Sequence, residues 1–261
     1  MISSSTWPAE EAAINGFPPL RQVVLGDWFL RFSRNVRRTG NSVTPLRKPV
    51  GDIDAVIATA EALYRAQGQP TIFRIPSFLD PAIDGQLAAR GYTAEGESCI
   101  IEGPIDAVIA AATVGWVDDV QLSPQPTPAW LAAMARLQGQ APEFHAVYRQ
   151  VVGSVVLPAA FAELTVDGAA VALAYGIIHR GMVCFESVVT DAQHRRKGYS
   201  RRVLAALAIW GRHNGATIAT LQVEAGNTPG RTLYHSIGMT TELHRYHYRR
   251  APGNASLRAS E

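Results

Sequence analysis

The chain has 261 residues, of which 47% are hydrophobic and 18% are charged, a balance typical of folded globular proteins rather than disordered ones. Its formal net charge is only +2, which argues against a protein that binds nucleic acid through its overall charge. A chain of this length forms one large domain or two smaller ones with a sizeable core.

Cysteine usage and the absence of targeting segments predict a cytoplasmic location. Cys99 and Cys184 lack metal-ligand spacing, and two isolated thiols suit a reducing compartment. Residues 1–17 show neither the basic start nor the apolar centre of a signal peptide. No apolar run reaches the length that spans a membrane. We therefore expect no membrane partner and no metal site.

The N-terminal half predicts an alternation of helices and strands. After a polar start that we expect to be mobile, residues 27–43 combine basic and aromatic side chains with strand-like alternation, which favours a pair of folded strands. A helix, a strand, a short helix and a strand follow, over residues 52–68, 69–77, 79–91 and 97–103.

The C-terminal half predicts a longer series of elements. It begins with a short strand, two helices and three β-rich runs, whose Gly-containing breaks favour an antiparallel meander. A helix, a buried strand, a short helix and a final strand come next. These elements cover residues 118–123, 124–140, 142–155, 159–168, 170–181, 182–190, 200–216, 217–226, 227–238 and 241–250.

The last four elements repeat a pattern of the N-terminal half. Each half contains a helix, a strand, a short helix that ends at a glycine, and a strand. From Ile72 to Gly91 is 19 positions and from Leu221 to Gly238 is 17, so the spacing nearly matches. Such a match indicates a duplicated α/β unit.

We expect the chain to divide accordingly into a first copy over residues 1–115, a second over 116–250 and a flexible tail over 251–261. A basic glycine loop precedes the helix of the second copy, whereas RKPVGDID stands at that place in the first. Chemistry common to such a unit is therefore expected in the second copy.

The basic loop is HRRKGYSRR, residues 194–202, with five Arg and Lys side chains around Gly198 and Ser200. The small residues leave backbone N–H groups accessible to a ligand. These amides, the N-terminus of the following helix and the flanking cations together favour phosphate binding. Read alone, the stretch also fits a solvated charge run or a nucleic-acid patch.

Two motifs resemble those of the GNAT superfamily of N-acetyltransferases. Residues 195–200 resemble the R-x-x-G-x-[small] loop that holds the pyrophosphate of acyl-CoA, with Ser200 where the family usually has Gly or Ala. NTPGRTLYHSIGM, residues 227–239, resembles the second signature of the family, matched at Asn227, Gly230, Tyr234, Gly238 and Met239. The resemblance covers about residues 118–250, and the N-terminal half looks like a degenerate partial copy, as in tandem GNAT proteins.

The resemblance implies an α/β (α+β) fold of GNAT type, in which helices flank a mixed, mostly antiparallel sheet. It also implies acetyl-CoA as co-substrate, no metal, and direct acetyl transfer to a primary amine of a small molecule or peptide. The implied cofactor-binding residues are Val188, Val189, Thr190, Arg195, Arg196, Lys197, Gly198, Tyr199, Ser200, Arg201, Asn227, Arg231 and Tyr234.

Glu186 and Tyr234 are the catalytic candidates. An amine with a pKa near that of lysine, about 10.4, is protonated at neutral pH, so a base or a water relay ending on one must take its proton. The period of two along a strand predicts one face for Glu186, Val188 and Thr190, where GNAT enzymes often keep such a carboxylate. By resemblance, Tyr234 is the general acid and a backbone N–H near Val188–Thr190 stabilises the oxyanion.

Other candidate residues have simpler interpretations. Cys184 is predicted on the face of Glu186, but no His–Asp relay supports it as a nucleophile. His244 and His247 fall on opposite faces of the last strand, so they cannot jointly bind a metal. His194, beside the loop, is interpreted as structural.

A second basic cluster contains Arg31, Arg34, Arg37 and Arg38. It fits a folded strand pair better than an RNA site, and it also fits an acceptor cleft between the halves for an acidic or nucleotide-bearing substrate. Two further functions stay open for the chain: a non-catalytic acyl-CoA-binding or sensing module, and a nucleic-acid-binding protein, which the small net charge disfavours.

Overall fold

The computed structural model describes residue 4 and residues 6–34, 37–46, 49, 51–111 and 119–253. The predicted boundary between residues 115 and 116 and the tail beyond residue 253 lie outside these ranges. Within them, no helix combines the length and the apolarity that crossing a membrane requires.

The N-terminal half contains four helices and five strands among its described residues. In chain order they are α1 (Thr6–Gly16), β1 (Arg21–Leu25), β2 (Trp28–Phe32), β3 (Val43–Pro45), α2 (Ile53–Ala66), β4 (Ile72–Pro76), α3 (Pro81–Ala89), β5 (Thr93–Pro104) and α4 (Ile105–Ala110).

The described part of the C-terminal half contains four helices and six strands. They are β6 (Val120–Ser123), α5 (Pro128–Gln138), α6 (Pro142–Gly153), β7 (Ala159–Val166), β8 (Ala169–His179), β9 (Met182–Thr190), α7 (Tyr199–His213), β10 (Ile218–Glu224), α8 (Thr228–Ser236) and β11 (Thr241–Arg250).

The predicted elements are confirmed in type and order, and local chemistry explains several of their ends. Asp52, Asp80 and Thr127 cap α2, α3 and α5 with side-chain oxygens. Three elements, α1, β1 and α4, were not predicted. Seven of the eleven residues of α1 are buried, so the helix lacks the one-sided apolar stripe by which an amphipathic helix is recognised.

All eleven strands form one sheet in the order β1-β2-β3-β4-β11-β5-β10-β9-β8-β7-β6. Most neighbours are antiparallel, and the pairs β3–β4 and β9–β10 are parallel. The sheet is therefore mixed and mostly antiparallel, as predicted.

The two halves exchange their last strands within this sheet. β11 pairs with both β4 and β5, while β5 pairs with both β11 and β10. The predicted repeat matches β4 to β10 and β5 to β11. Exchanging the strands of each matched pair turns the order β4-β11-β5-β10 into β10-β5-β11-β4, which is the same order read from the other end. Each half thus completes the sheet of the other, and a sequence boundary near residue 115 does not divide it into two sheets.

Helices pack on both faces of the sheet. Along β9, Val183 and Phe185 join a core with α4, α7 and α8, whereas Cys184 joins a core with α1, α5 and α6. Since neighbouring residues of a strand point to opposite faces, these two helix groups lie on opposite sides. Val203 and Leu207, four positions apart on α7, are both buried in the first of these cores.

Candidate active site

A gap opens in the middle of the sheet where β9 and β10 separate. Their parallel pairing runs from Met182 and Ile218 to Phe185 and Leu221. β9 continues to Thr190 and β10 to Glu224, but within the described chain these ends are not paired with each other. Backbone amides on the open side of β9 are therefore available to a ligand, which fits the predicted oxyanion donor near Val188–Thr190.

A β-bulge at Ser187 corrects the prediction that Glu186 shares a face with Val188 and Thr190. Tyr175 of β8 pairs with Glu186, while Leu173 pairs with Val189, so β9 contains one extra residue between these pairs. Ser187 adopts a left-handed φ of +52°. The extra residue reverses the alternation beyond it.

Packing on the two faces agrees with this reversal. Val188 packs against the core of α7 and α8, whereas Val189 packs against the core that contains Cys184. The Tyr148 hydroxyl lies 2.9 Å from Oγ of Ser187 and supports the bulge from α6. The simple period of two fails here because it assumes an uninterrupted strand.

Glu186 lies where the strands separate, and its carboxyl group is almost inaccessible to solvent. Burial raises the pKa of Glu186 to about 7, although the Arg37 guanidinium lowers it in part. A carboxyl group with this pKa is close to half ionised at neutral pH, which is the condition that favours a general base.

Two neighbours orient the Glu186 carboxylate. Nε2 of Gln222 on β10 lies 3.5 Å from Oε1 of Glu186, and the Tyr246 hydroxyl lies 2.8 Å from Oε1 of Gln222. Gly16, the last residue of α1, leaves space for the carboxylate, since a Cβ there would lie 3.1 Å from Oε1. Sequence reasoning missed Gln222 and Gly16 because neither belongs to a motif.

A buried ion cluster anchors α1 beside this carboxylate. Nε and Nη2 of Arg74 lie 2.8 and 2.9 Å from the two oxygens of Glu10, and His244 Nε2 lies 3.0 Å from Oε2. Burial opposes ionisation of Glu10, but Arg74 and His244 together hold its pKa at about 2. The charged pair fixes α1, and with it Gly16, against the sheet.

Tyr234 of α8 is buried and lines the same cavity as Glu186. Burial, together with the negative charge of Glu186, raises the pKa of the Tyr234 phenol to about 12. Tyr234 therefore keeps its proton at neutral pH and can donate it, or a hydrogen bond, to a leaving group. Cys184 is less suited to chemistry, because burial and Glu186 raise its thiol pKa well above the ordinary value.

The predicted phosphate loop lies between β9 and α7. Arg196 and Gly198 have left-handed φ values of +61° and +80°, and α7 begins directly after Gly198. Arg195, Arg196 and Lys197 are exposed. The loop thus presents free cations beside the N-terminal amides of a helix, an arrangement suited to an anion.

The remaining loop residues make defined contacts. The Ser200 hydroxyl hydrogen-bonds with that of Thr190, which fixes α7 to the end of β9. The Arg201 guanidinium donates to Oγ of Ser236 at 2.9 Å. Tyr199 lies next to His194, whose Nδ1 is 3.5 Å from a carboxylate oxygen of Asp191.

Asn227 and Arg231 flank the start of α8. Asn227 caps the helix by accepting a hydrogen bond from the Gly230 amide at 2.9 Å, and it also lines the cavity. Arg231 is directed elsewhere, with Nη2 3.3 Å from a carboxylate oxygen of Glu242. Phosphate binding by Arg231 stays a prediction, and it would require competition with this ion pair.

A cavity of about 220 Å³ joins these groups to the N-terminal half. Its C-terminal wall includes Glu186, Ser187, Val188, Gln222, Asn227 and Tyr234. Its N-terminal wall includes Arg37, Arg38, Thr39 and Ser98. The cavity is thus lined by both halves, and Arg37 and Arg38 belong to the basic cluster for which an acceptor cleft between the halves was one interpretation.

The second basic cluster is divided by the fold. Arg37 and Arg38 line the cavity. Arg31 is buried and donates to the backbone oxygens of Ile14 and Phe17 at 2.9 and 2.6 Å, so it has a structural role. Arg34 is exposed away from the cavity. The cluster is thus a folded strand pair that also places two cations at the cavity.

The two histidines of β11 contact separate carboxylates. His244 contacts Glu10, and Nε2 of His247 lies 2.8 Å from a carboxylate oxygen of Asp84. In the described ranges, His, Cys, Asp and Glu side chains form no group of three or more that could hold a metal.

Comparisons with known proteins agree with this geometry. The family model described as "Probable histone acetyltransferase Rv0428c C-terminal" matches residues 4–249. The chain is 26% identical over 241 residues to the "Uncharacterized N-acetyltransferase YobR" of Bacillus subtilis (strain 168), a match that covers 92% of this chain and 96% of that relative.

Solved structures share the fold. A GCN5-related N-acetyltransferase from Kribbella flavida is similar with a TM-score of 0.71 and 19% identity, covering 95% of this chain and 96% of that chain. A protein described as "Tandem GNAT protein from the clavulanic acid biosynthesis pathway (without AcCoA)" is similar with a TM-score of 0.61 and 16% identity, covering 85% of this chain and 72% of that chain. The chain therefore has the GNAT fold and belongs to the family of the matching model, a family of GNAT-type acetyltransferases.

Proposed function

We propose that the protein transfers an acetyl group from acetyl-CoA directly to a primary amine of a small molecule or peptide. The observation that carries this proposal is the meeting of Glu186 and Tyr234 in one cavity, at the point where β9 and β10 separate. One group is suited to accept a proton at neutral pH and the other to donate one.

The residues present fit coenzyme A. The anion site at the start of α7, with Gly198, Tyr199 and the exposed cations Arg195 to Lys197, suits its pyrophosphate. The gap between β9 and β10 suits its extended arm, with Asn227 at the edge of the cavity. Acetyl-CoA supplies an activated acetyl thioester when it is bound there.

Glu186 accepts a proton from the acceptor amine, so that the nitrogen lone pair is free to form a bond to the acetyl carbon. A backbone N–H of β9 beyond the bulge, near Val188–Thr190, donates to the carbonyl oxygen as negative charge develops on it. The carbon–sulfur bond then breaks, Tyr234 donates its proton to the departing sulfur, and the second proton that the nitrogen loses restores the Tyr234 phenol.

The two protein groups are coupled through their charges. Full proton transfer from a phenol with a pKa of about 12 to a thiolate is uphill, since a thiol has a pKa of about 8.5. Once Glu186 has taken the amine proton it is neutral, and its charge no longer raises the pKa of Tyr234. Tyr234 becomes a stronger donor when the sulfur leaves.

We also propose a tandem organisation, in which the C-terminal copy holds the cofactor and a degenerate N-terminal copy completes the acceptor side. The reversed symmetry of the strand order, the cavity wall formed by Arg37 to Thr39, and the similarity in fold to a protein described as tandem support it.

Two measurements test the proposed transfer. Saturating acetyl-CoA is expected to raise the melting temperature, because a ligand of the native state stabilises it. Labelled acetyl-CoA is expected to label an amine in a panel of amino acids, polyamines, peptides and aminoacyl nucleotides. A melting shift without transfer to any amine would support a sensing module instead, and no shift would refute the cofactor assignment.

A further inference from the structure

The cavity presents a cation and a buried carboxylate to the same space. Glu186 lies on the C-terminal wall, and the Arg37 and Arg38 guanidinium groups lie on the N-terminal wall. The positive charge of Arg37 lowers the pKa of Glu186. A molecule held between the walls therefore meets a base at one side and a cation at the other.

The two arginines differ in what compensates their charge. Arg38 lies 3.6 Å from a carboxylate oxygen of Glu95 and 3.8 Å from one of Glu224. Among the described residues, Arg37 has no carboxylate partner; its Nη2 donates to the neutral amide oxygen of Gln138 at 3.0 Å. A guanidinium group has five N–H donors, so Arg37 retains donors for a ligand.

Aromatic rings hold the Arg37 guanidinium in place. Its central carbon lies 5.3 Å from the ring centre of Phe17 and 5.5 Å from that of Tyr148. These contacts and the Gln138 hydrogen bond fix a planar fork at the cavity before any ligand arrives. A fixed fork is suited to donating paired hydrogen bonds to an oxyanion.

We propose that the acceptor carries an anionic group, a carboxylate or a phosphate, beside its primary amine, and that Arg37 binds this group while Glu186 faces the amine. The inference rests on the proposed acetyl transfer and specifies its substrate class. It favours small amino acids and phosphorylated amines over lysine in a basic peptide, whose positive charges Arg37 repels.

Matched pairs of amines test the proposal. Each standard α-amino acid is compared with its carboxamide, and O-phosphoethanolamine with ethanolamine, by kcat/KM at saturating acetyl-CoA. The anionic member of at least one pair is expected to react about tenfold to hundredfold faster, the range of one charge-assisted hydrogen bond. The two sets of pairs distinguish carboxylate from phosphate.

Arg37→Gln is expected to abolish this preference, so that the ratio of kcat/KM between the anionic and the neutral member of each pair falls to about one. The assay is run near pH 9, because loss of Arg37 also raises the pKa of Glu186 and would lower activity at neutral pH. Arg34→Gln removes the same charge at an exposed position outside the cavity and should leave both members unchanged.

Three results would overturn the proposal. The first is an equal kcat/KM for both members of every pair. The second is an equal loss of kcat/KM for both members in Arg37→Gln. The third is faster transfer to lysine in an arginine-rich peptide than to every acid tested. A binding measurement does not depend on transfer: calorimetry with N-acetylated amino acids and their amides should show Arg37-dependent binding of the acid. Arg37-dependent binding of the acid without any acetyl transfer would refute the proposed acetyltransferase activity but support the anion subsite. If the acid does not bind in an Arg37-dependent way, the anion subsite is refuted.

Discussion

Gly16 and Glu186 are in contact although 170 positions separate them in the sequence, and a Cβ on Gly16 would lie 3.1 Å from Oε1 and 3.2 Å from Cγ of Glu186. The end of α1 thus forms one wall of the space that the carboxylate occupies. This relationship connects the unpredicted helix to the chemistry of β9.

Gly16→Ala is expected to displace the carboxylate and to lower kcat about tenfold or more, since small misplacements of a base are costly. Stability should change little, because the gain in helix propensity and the crowding of the buried Glu186 side chain oppose each other. Gly85→Ala in α3, where a Cβ meets nothing within 4 Å, is the matched control and should not change kcat. An unchanged kcat in Gly16→Ala, with melting temperature measured alongside, would contradict the contact.

The rate of acetyl transfer is expected to rise with pH through about 7, because Glu186 must be ionised to accept a proton. Glu186→Gln should remove this step from the pH profile of kcat and lower the rate about 10² to 10⁴-fold, as for other general bases. A profile of the same shape in Glu186→Gln would assign the proton transfer to another group.

Glu186 also makes stability depend on pH. The pKa of Glu186 is about 7 in the folded protein, above its ordinary value of 4.5, so the folded protein binds this proton more tightly than the unfolded chain does. The free energy of unfolding therefore falls as the pH rises from about 4.5 to about 7. Glu186→Gln should therefore be more stable than the wild type at pH 8, by up to about 3 kcal/mol, and similar at pH 4. Urea unfolding at both pH values measures this difference, and a destabilised variant at pH 8 would oppose it.

Tyr234→Phe is expected to keep the melting shift caused by acetyl-CoA while kcat falls about 10²-fold, because the donor to the leaving sulfur is lost. Tyr92→Phe removes another phenol, one that donates to Oε1 of Glu61 at 2.7 Å in the N-terminal half, and should leave kcat unchanged. Equal activity of Tyr234→Phe and the wild type over a panel of amines would refute the role of Tyr234.

Gly198→Leu is expected to abolish the melting shift caused by acetyl-CoA, since the side chain would cover the anion site and strain a φ of +80°. Gly139→Leu introduces similar strain at φ +60°, in an exposed position where a Cβ meets nothing within 4 Å. The control should retain the full shift, and loss of the shift in both variants would attribute the effect to strain alone.

Sequence patterns predicted the structural features that depend only on residues close to one another in the chain. The helices and strands themselves and the two glycine-containing motifs depend on local sequence, and the structure contains these elements in the predicted order. The strand exchange could not be predicted, because the pairing of β5 with β10 and β11 depends on partners far apart in the chain.

The candidate site was predicted in part for the same reason. Glu186 and Tyr234 were found through strand position and motif, and the cavity contains both. The bulge at Ser187 is an insertion that the period of two cannot reveal. Arg37 was indicated only as one member of a basic cluster, and Gln222 was not indicated at all, because both reach the cavity through the sheet order and the packing of the halves.

The strand exchange also governs the order in which the protein can form during synthesis. β4 and β5 are joined through β11, which comprises residues 241–250 and is therefore synthesised well after both of them. Until then the nascent chain exposes the edges of β4 and β5, and edges of this kind attract foreign strands. Chaperone demand and sensitivity to truncation should consequently concentrate at β11, whose Tyr246 and Tyr248 also line the cavity.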